Sequence, residues 1–99
     1  DMEERYRLII STILNAIGCQ VEVEHMLSTG RIDIVASTSR FIYVMELKLS
    51  NNGGLEAAEK QIISNGYLKP FLADGRKVIG LAVELDDMGK GLIDWKEVK

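Results

Sequence analysis

Gly30 to Lys48 reads GRIDIVASTSRFIYVMELK, and this stretch decides the fold. Two runs rich in β-branched and aromatic residues, Arg31 to Ser37 and Phe41 to Leu49, meet at a short polar Ser-Thr-Ser-Arg turn over 37–40. Runs of that composition on either side of turn residues predict an antiparallel hairpin. Strand periodicity puts Phe41, Tyr43, Met45 and Leu47 on one face and Ile42, Val44, Glu46 and Lys48 on the other. Glu46 and Lys48 are therefore neighbours, and Asp33 lies in the partner strand. With the turn at 37–40, Asp33 is expected level with Phe41 to Met45, reaching the Glu46 end after modest slippage. Charges inside apolar strands are hard to explain as packing, because a buried charge needs a partner or a metal.

Outward from the hairpin, the chain alternates helical and strand patterns. Before it, Tyr6, Ile9, Ile10, Ile13, Leu14 and Ile17 recur at helical spacing, so Glu3 to Ile17 is predicted to be a helix that Gly18 stops. In 19–26, Cys19, Val21 and Val23 alternate with Gln20, Glu22 and Glu24, which predicts a half-buried strand. After the hairpin, Ser50-Asn51-Asn52-Gly53-Gly54 is a loop of breaker residues. Leu55 to about Asn65 is predicted helical, with Leu55, Ala58 and Ile62 on one face and Ile63 as a further candidate for it, and Pro70 limits how far it runs. Lys77 to Leu85, KVIGLAVEL, reads as a strand covered on both faces. Gly91 to Val98 is a candidate last strand anchored by Trp95. The order is α-β-β-β-α-β, which predicts an α/β (α+β) fold with one mixed central sheet flanked by helices.

Ninety-nine residues suit a single domain spanning 1–99. The chain opens at Asp1 directly on a helical pattern, so it is expected to be a piece of a longer chain. No apolar run is long enough to span a bilayer as a helix. The lone Cys19 cannot form an internal disulfide, which points to a reducing, cytoplasmic setting, and with the single His25 it excludes a Cys/His zinc site. A net charge of −3 argues against tight autonomous binding of nucleic acid. The distribution is more permissive, since residues 31–80 carry seven Lys/Arg against five acids while both flanks are acidic.

Asp33, Glu46 and Lys48 converging on one patch suit hydrolysis of a phosphodiester. Two carboxylates can hold a hard divalent cation, the ion can activate a water, and an ammonium can orient that water and offset charge at phosphorus. Plainer readings stand beside this one. Glu46 and Lys48 also fit a same-face ion pair worth ~1 kcal/mol or less, and Asp33 fits an edge-strand gatekeeper.

The segments Gly30-Arg31-Ile32-Asp33-Ile34 and Phe41-Ile42-Tyr43-Val44-Met45-Glu46-Leu47-Lys48, followed by Ala57, Ala58 and Gln61-Ile62, resemble the PD-(D/E)XK nuclease superfamily. More narrowly they resemble a bacterial subgroup in which the nuclease-like domain follows an AAA-ATPase-like domain. The resemblance runs from the first helix to Trp95, and where the superfamily usually has proline before the first Asp, Ile32 stands here. It implies a restriction-endonuclease-like core and a Mg²⁺-dependent nuclease, with Mn²⁺ as a substitute and DNA ahead of RNA as substrate. Asp33 and Glu46 would bind the metal, Lys48 would assist the attacking water, and Gln61 and Glu4 would support the site. A homodimer through the Phe41/Tyr43/Met45 face is a further expectation, should the helices leave that face uncovered. The competing function is a catalytically inactive accessory or protein-interaction module that keeps the nuclease fold.

The supporting residues have local explanations as well. An acid at Glu4 suits the first turn of a helix whatever the function. Gln61 shares its stripe with Ala57 and Asn65 and fits a solvent-facing position. Glu24, six residues before Gly30, is a further candidate for the cleft, with Glu22 as its alternative. Arg31 fits a phosphate contact or a strand start. His25 is read as a satisfied edge histidine, and Tyr67, Phe71 and Trp95 as packing residues.

Overall fold

The computed structural model describes residues 1–99. The chain forms α1 (Met2–Ala16), β1 (Gln20–Leu27), β2 (Gly30–Ser37), β3 (Phe41–Leu49), α2 (Gly54–Ser64), β4 (Lys77–Leu85) and β5 (Leu92–Val98). Short 3₁₀ turns at Ser50–Asn52 and Lys69–Phe71 flank α2, the second containing Pro70. The strands build one mixed sheet in the order β1-β2-β3-β4-β5, in which only β3 and β4 are parallel. The α2 crossover joins those two, as a parallel pair requires. No helix is long and apolar enough to cross a membrane.

Each face of the sheet carries one helix and one core. On the α2 face Ile42, Val44, Ala58, Ile62, Tyr67 and Ala82 are buried together. On the α1 face Tyr6, Ile34, Ala36, Met45, Leu47 and Val83 are buried together. Strand β3 alternates between the two, as its sequence predicts.

The helix α1 departs from its sequence pattern. Tyr6 is buried, with Met2, Ile10 and Leu14 packed beside it, while Ile9, Ile13 and Ile17 are exposed. The inward stripe therefore follows a four-residue spacing, and the other isoleucines lie outside the strip that one sheet face can cover. Tyr6 fixes the helix at the far end of the sheet: its hydroxyl donates to the Asp86 carbonyl at 2.8 Å and accepts from the Gly91 amide at 3.1 Å. Because α1 packs over Met45, the Phe41/Tyr43/Met45 face is partly covered rather than free for a second copy. Trp95 anchors nothing, since it stands 60% exposed on the outermost strand β5.

The β1–β2 ribbon changes face partway along. Val21, Ile34 and Ala36 pack on the α1 side, whereas Leu27 and Ile32 pack on the α2 side. The switch falls at Glu24 and Asp33, the one position where the pairing from Gln20↔Ser37 to Leu27↔Gly30 is interrupted. Glu24 adopts φ 54°, the only non-glycine residue with positive φ. A single residue in the left-handed region turns the strand over without changing its register.

Candidate active site

The β2–β3 register places Asp33 more closely than its sequence does. Ile34 pairs with Met45 as the last regular pair, so Asp33 stands opposite Glu46 with no slippage. Beyond that pair, carboxylates take over the ladder. The Leu47 amide donates to Asp33 Oδ2 at 2.8 Å, and the Asp33 amide approaches Glu46 Oε1 at 3.4 Å. Both acids are buried, at 7% and 2% exposure. Asp33 Oδ1 lies 3.8 Å from Arg7 Nη1.

Two like charges in one dry spot raise the cost of ionising both. Burial above all, and then the neighbouring Asp33 charge, push the Glu46 carboxyl up from 4.5 to about 8, with Lys48 pulling the other way. Lys48 leaves the same face of β3, is half-buried, and makes no salt bridge within the protein.

These groups line a polar pocket of about 360 Å³ between the first turns of α1, the ends of β2 and β3, and α2. Glu4 and Gln61 line it as well, so all five residues singled out in the sequence reach one cavity. Their involvement differs. Gln61 faces the pocket rather than open solvent, and its amide donates to the Tyr67 hydroxyl at 3.2 Å. Glu4 stays 66% exposed in its side chain and lies 4.0 Å from Arg7 instead of joining the two buried acids. Two carboxylates are thus the acids brought together here, and no third acid, His or Cys completes a cluster with them.

The loop expected at Ser50 to Gly54 sets where α2 begins. Glu84 of β4 accepts from the Ser50 hydroxyl at 2.6 Å and from the Leu55 amide at 3.1 Å, which holds its carboxyl below the usual range. Gly54 is required there, because a Cβ would meet the Glu84 carboxylate at 2.9 Å. This contact aims the α2 face that carries Gln61.

Three features of the pocket escape the sequence reading. Arg7, 12% exposed in its side chain, lies 3.0 Å from Glu24 and 3.8 Å from Asp33. Tyr67 does more than pack: it is wholly buried, and its hydroxyl donates to the Arg31 carbonyl and accepts from Gln61 and Asn65, each at 3.2 Å. Gly30 makes room for it, since a Cβ there would lie 2.5 Å from that hydroxyl. Arg7 had one visible signal, its place one turn after Glu3 and Glu4 on the same helix. His25 pairs with Glu22 at 2.7 Å and packs on Phe71, outside the pocket. A larger apolar groove of about 520 Å³, lined by Ile9, Ile10 and Trp95 among others, contains none of these acids.

A family model described as the PD-(D/E)XK nuclease superfamily matches residues 1–95. No curated protein matches the chain.

Proposed function

The chain belongs to the PD-(D/E)XK nuclease superfamily, and from that membership we propose that it is a metal-dependent nuclease domain hydrolysing phosphodiester bonds of DNA or RNA. One observation carries the reading: Asp33 and Glu46 lie side by side, buried, with the Glu46 carboxyl pushed up to about 8. The hard oxygen donors of such a pair suit a divalent cation that keeps several waters, as Mg²⁺ does.

Asp33 and Glu46, which both line the pocket, would hold that ion, with Mn²⁺ as a substitute. When bound, the ion lowers the pKa of a coordinated water and offsets charge on the phosphate. The chain's own groups do the rest. Lys48, unpaired and on the Glu46 face, orients the attacking water and offsets negative charge as it builds at phosphorus. Gln61, its amide fixed by the Tyr67 hydroxyl, supports the water from the α2 side. Glu4, which lines the pocket 4.0 Å from Arg7, would support the site.

Calorimetric titration with Mg²⁺ and Mn²⁺ tests this. Binding that Glu46→Gln removes is expected. Its absence in the wild type favours a non-catalytic module that keeps the nuclease fold. The net charge of −3 and the Asp1, Glu3 and Glu4 carboxylates at the pocket, which repel an incoming phosphate, support that second reading.

A further inference from the structure

We propose that Arg7 and Arg31, bridged by the Glu24 carboxylate, form a clamp for a backbone phosphate of the nucleic-acid strand that enters the Asp33–Glu46 pocket. The identity of the strand rests on the nuclease reading; the clamp itself rests on geometry.

Glu24 is held at φ 54° in the middle of a strand. A non-glycine residue in that region costs about 1–3 kcal/mol and persists where the surroundings over-determine it. Here it stands where the β1–β2 ribbon changes face, opposite Asp33. Its two oxygens are divided between two cations: Oε1 lies 3.0 Å from Arg7 Nη2, and Oε2 accepts from Arg31 Nη1 at 2.9 Å. The arginines come from different elements, α1 and β2, and both line the polar pocket with Lys48.

A pin between α1 and β1 needs Arg7 alone. Arg31, 52% exposed in its side chain, adds little to such a pin, and its remaining donors stay open to the pocket and solvent. Arg31 presents the open planar fork, which matches phosphate oxygens, and Arg7, whose nitrogens also lie 3.8 Å from Asp33 and 4.0 Å from Glu4, adds positive charge behind it. They also counter the acids that would otherwise repel a phosphodiester from this mouth.

Fluorescence anisotropy with a labelled oligonucleotide, single- or double-stranded, in EDTA and across a salt series reads the clamp without cleavage. Arg31→Gln is expected to weaken binding about 10-fold and to reduce the salt slope by about 0.7–0.9. Arg7→Lys, which keeps the charge and loses the fork, is expected to weaken binding several-fold. Glu24→Gln discriminates most sharply. Plain electrostatics predicts tighter binding when an acid is removed, whereas loss of the bridge predicts weaker binding.

Tighter binding by Glu24→Gln, an unchanged affinity and slope for Arg31→Gln, or no binding by the wild type would each overturn the proposal. If Arg7→Lys fails to fold, Arg31→Gln on the half-exposed side decides alone. Arginine-dependent binding without Mn²⁺-dependent cleavage defeats the nuclease reading and leaves the clamp. Cleavage with arginine-independent binding defeats the clamp and leaves the nuclease.

Discussion

The Asp33 carboxylate accepts the Leu47 backbone amide at 2.8 Å, so a side chain does the work that a strand backbone does one step earlier at Ile34 and Met45. This bond fixes Oδ2, while Oδ1 lies 3.8 Å from Arg7. Asp33→Asn keeps an oxygen to accept that amide and removes the charge facing Glu46. The expected result is a protein that still folds at neutral pH but whose cleavage falls more than about 100-fold, since losing even a partner that only orients a metal ligand costs about 10- to 100-fold. Asp33→Ala also orphans the Leu47 amide and is expected to lose about 1–3 kcal/mol of stability. Thermal melts and cleavage assays on both variants check the pair, and an active Asp33→Asn would contradict the assignment.

Glu46 makes the metal-free protein sensitive to pH. Its carboxyl is pushed from 4.5 up to about 8, by burial first and by Asp33 second. Between those values the folded chain holds a proton that the unfolded chain releases, so this contribution to stability is full below about pH 4.5 and is lost as pH rises through about 8. The wild type in EDTA is expected to melt at a lower temperature at about pH 8 than at about pH 5, and Glu46→Gln to flatten that slope. A divalent cation that binds the ionised pair acts in the opposite sense, stabilising more as pH rises and releasing a proton as it binds. Calorimetric melts across this range read both effects. Parallel pH profiles for wild type and Glu46→Gln would contradict them.

Tyr67 ties the start of β2 to α2. Its hydroxyl joins the Arg31 carbonyl to the side-chain amides of Gln61 and Asn65. Tyr67→Phe unpairs that carbonyl and both amides, with an expected loss of about 1–3 kcal/mol and a lower kcat as Gln61 loses its anchor. Gly30→Ala forces a Cβ to 2.5 Å from the same hydroxyl and is expected to cost about 1–3 kcal/mol by overpacking. Urea unfolding of the two variants and of their double mutant measures the coupling. Additive effects would show that the two residues do not meet as described.

The parts of this site legible in the sequence are those governed by period and composition. Alternation along Phe41 to Lys48 placed Glu46 and Lys48 together, and Gly53-Gly54 marked where α2 begins. The inward stripe of α1 was not legible, because Ile9, Ile13 and Ile17 are as apolar as Ile10 and Leu14 and only the sheet decides which are covered. Trp95 is exposed for a related reason: β5 is the sheet's edge. The face switch at Glu24 and Asp33 depends on one backbone torsion that no residue pattern encodes. Arg7 enters the site through that switch, because the turned Glu24 carboxylate lies beside it.

The most direct test of the central claim is cleavage of plasmid, single-stranded DNA and RNA in the presence of Mn²⁺, comparing wild type with Lys48→Ala. Lys48 has no ion-pair partner to lose, so the variant is expected to fold and melt like the wild type. The account predicts that the wild type cleaves at least one of the three substrates and that Lys48→Ala does not. Equal cleavage by both, or none by the wild type, would contradict it.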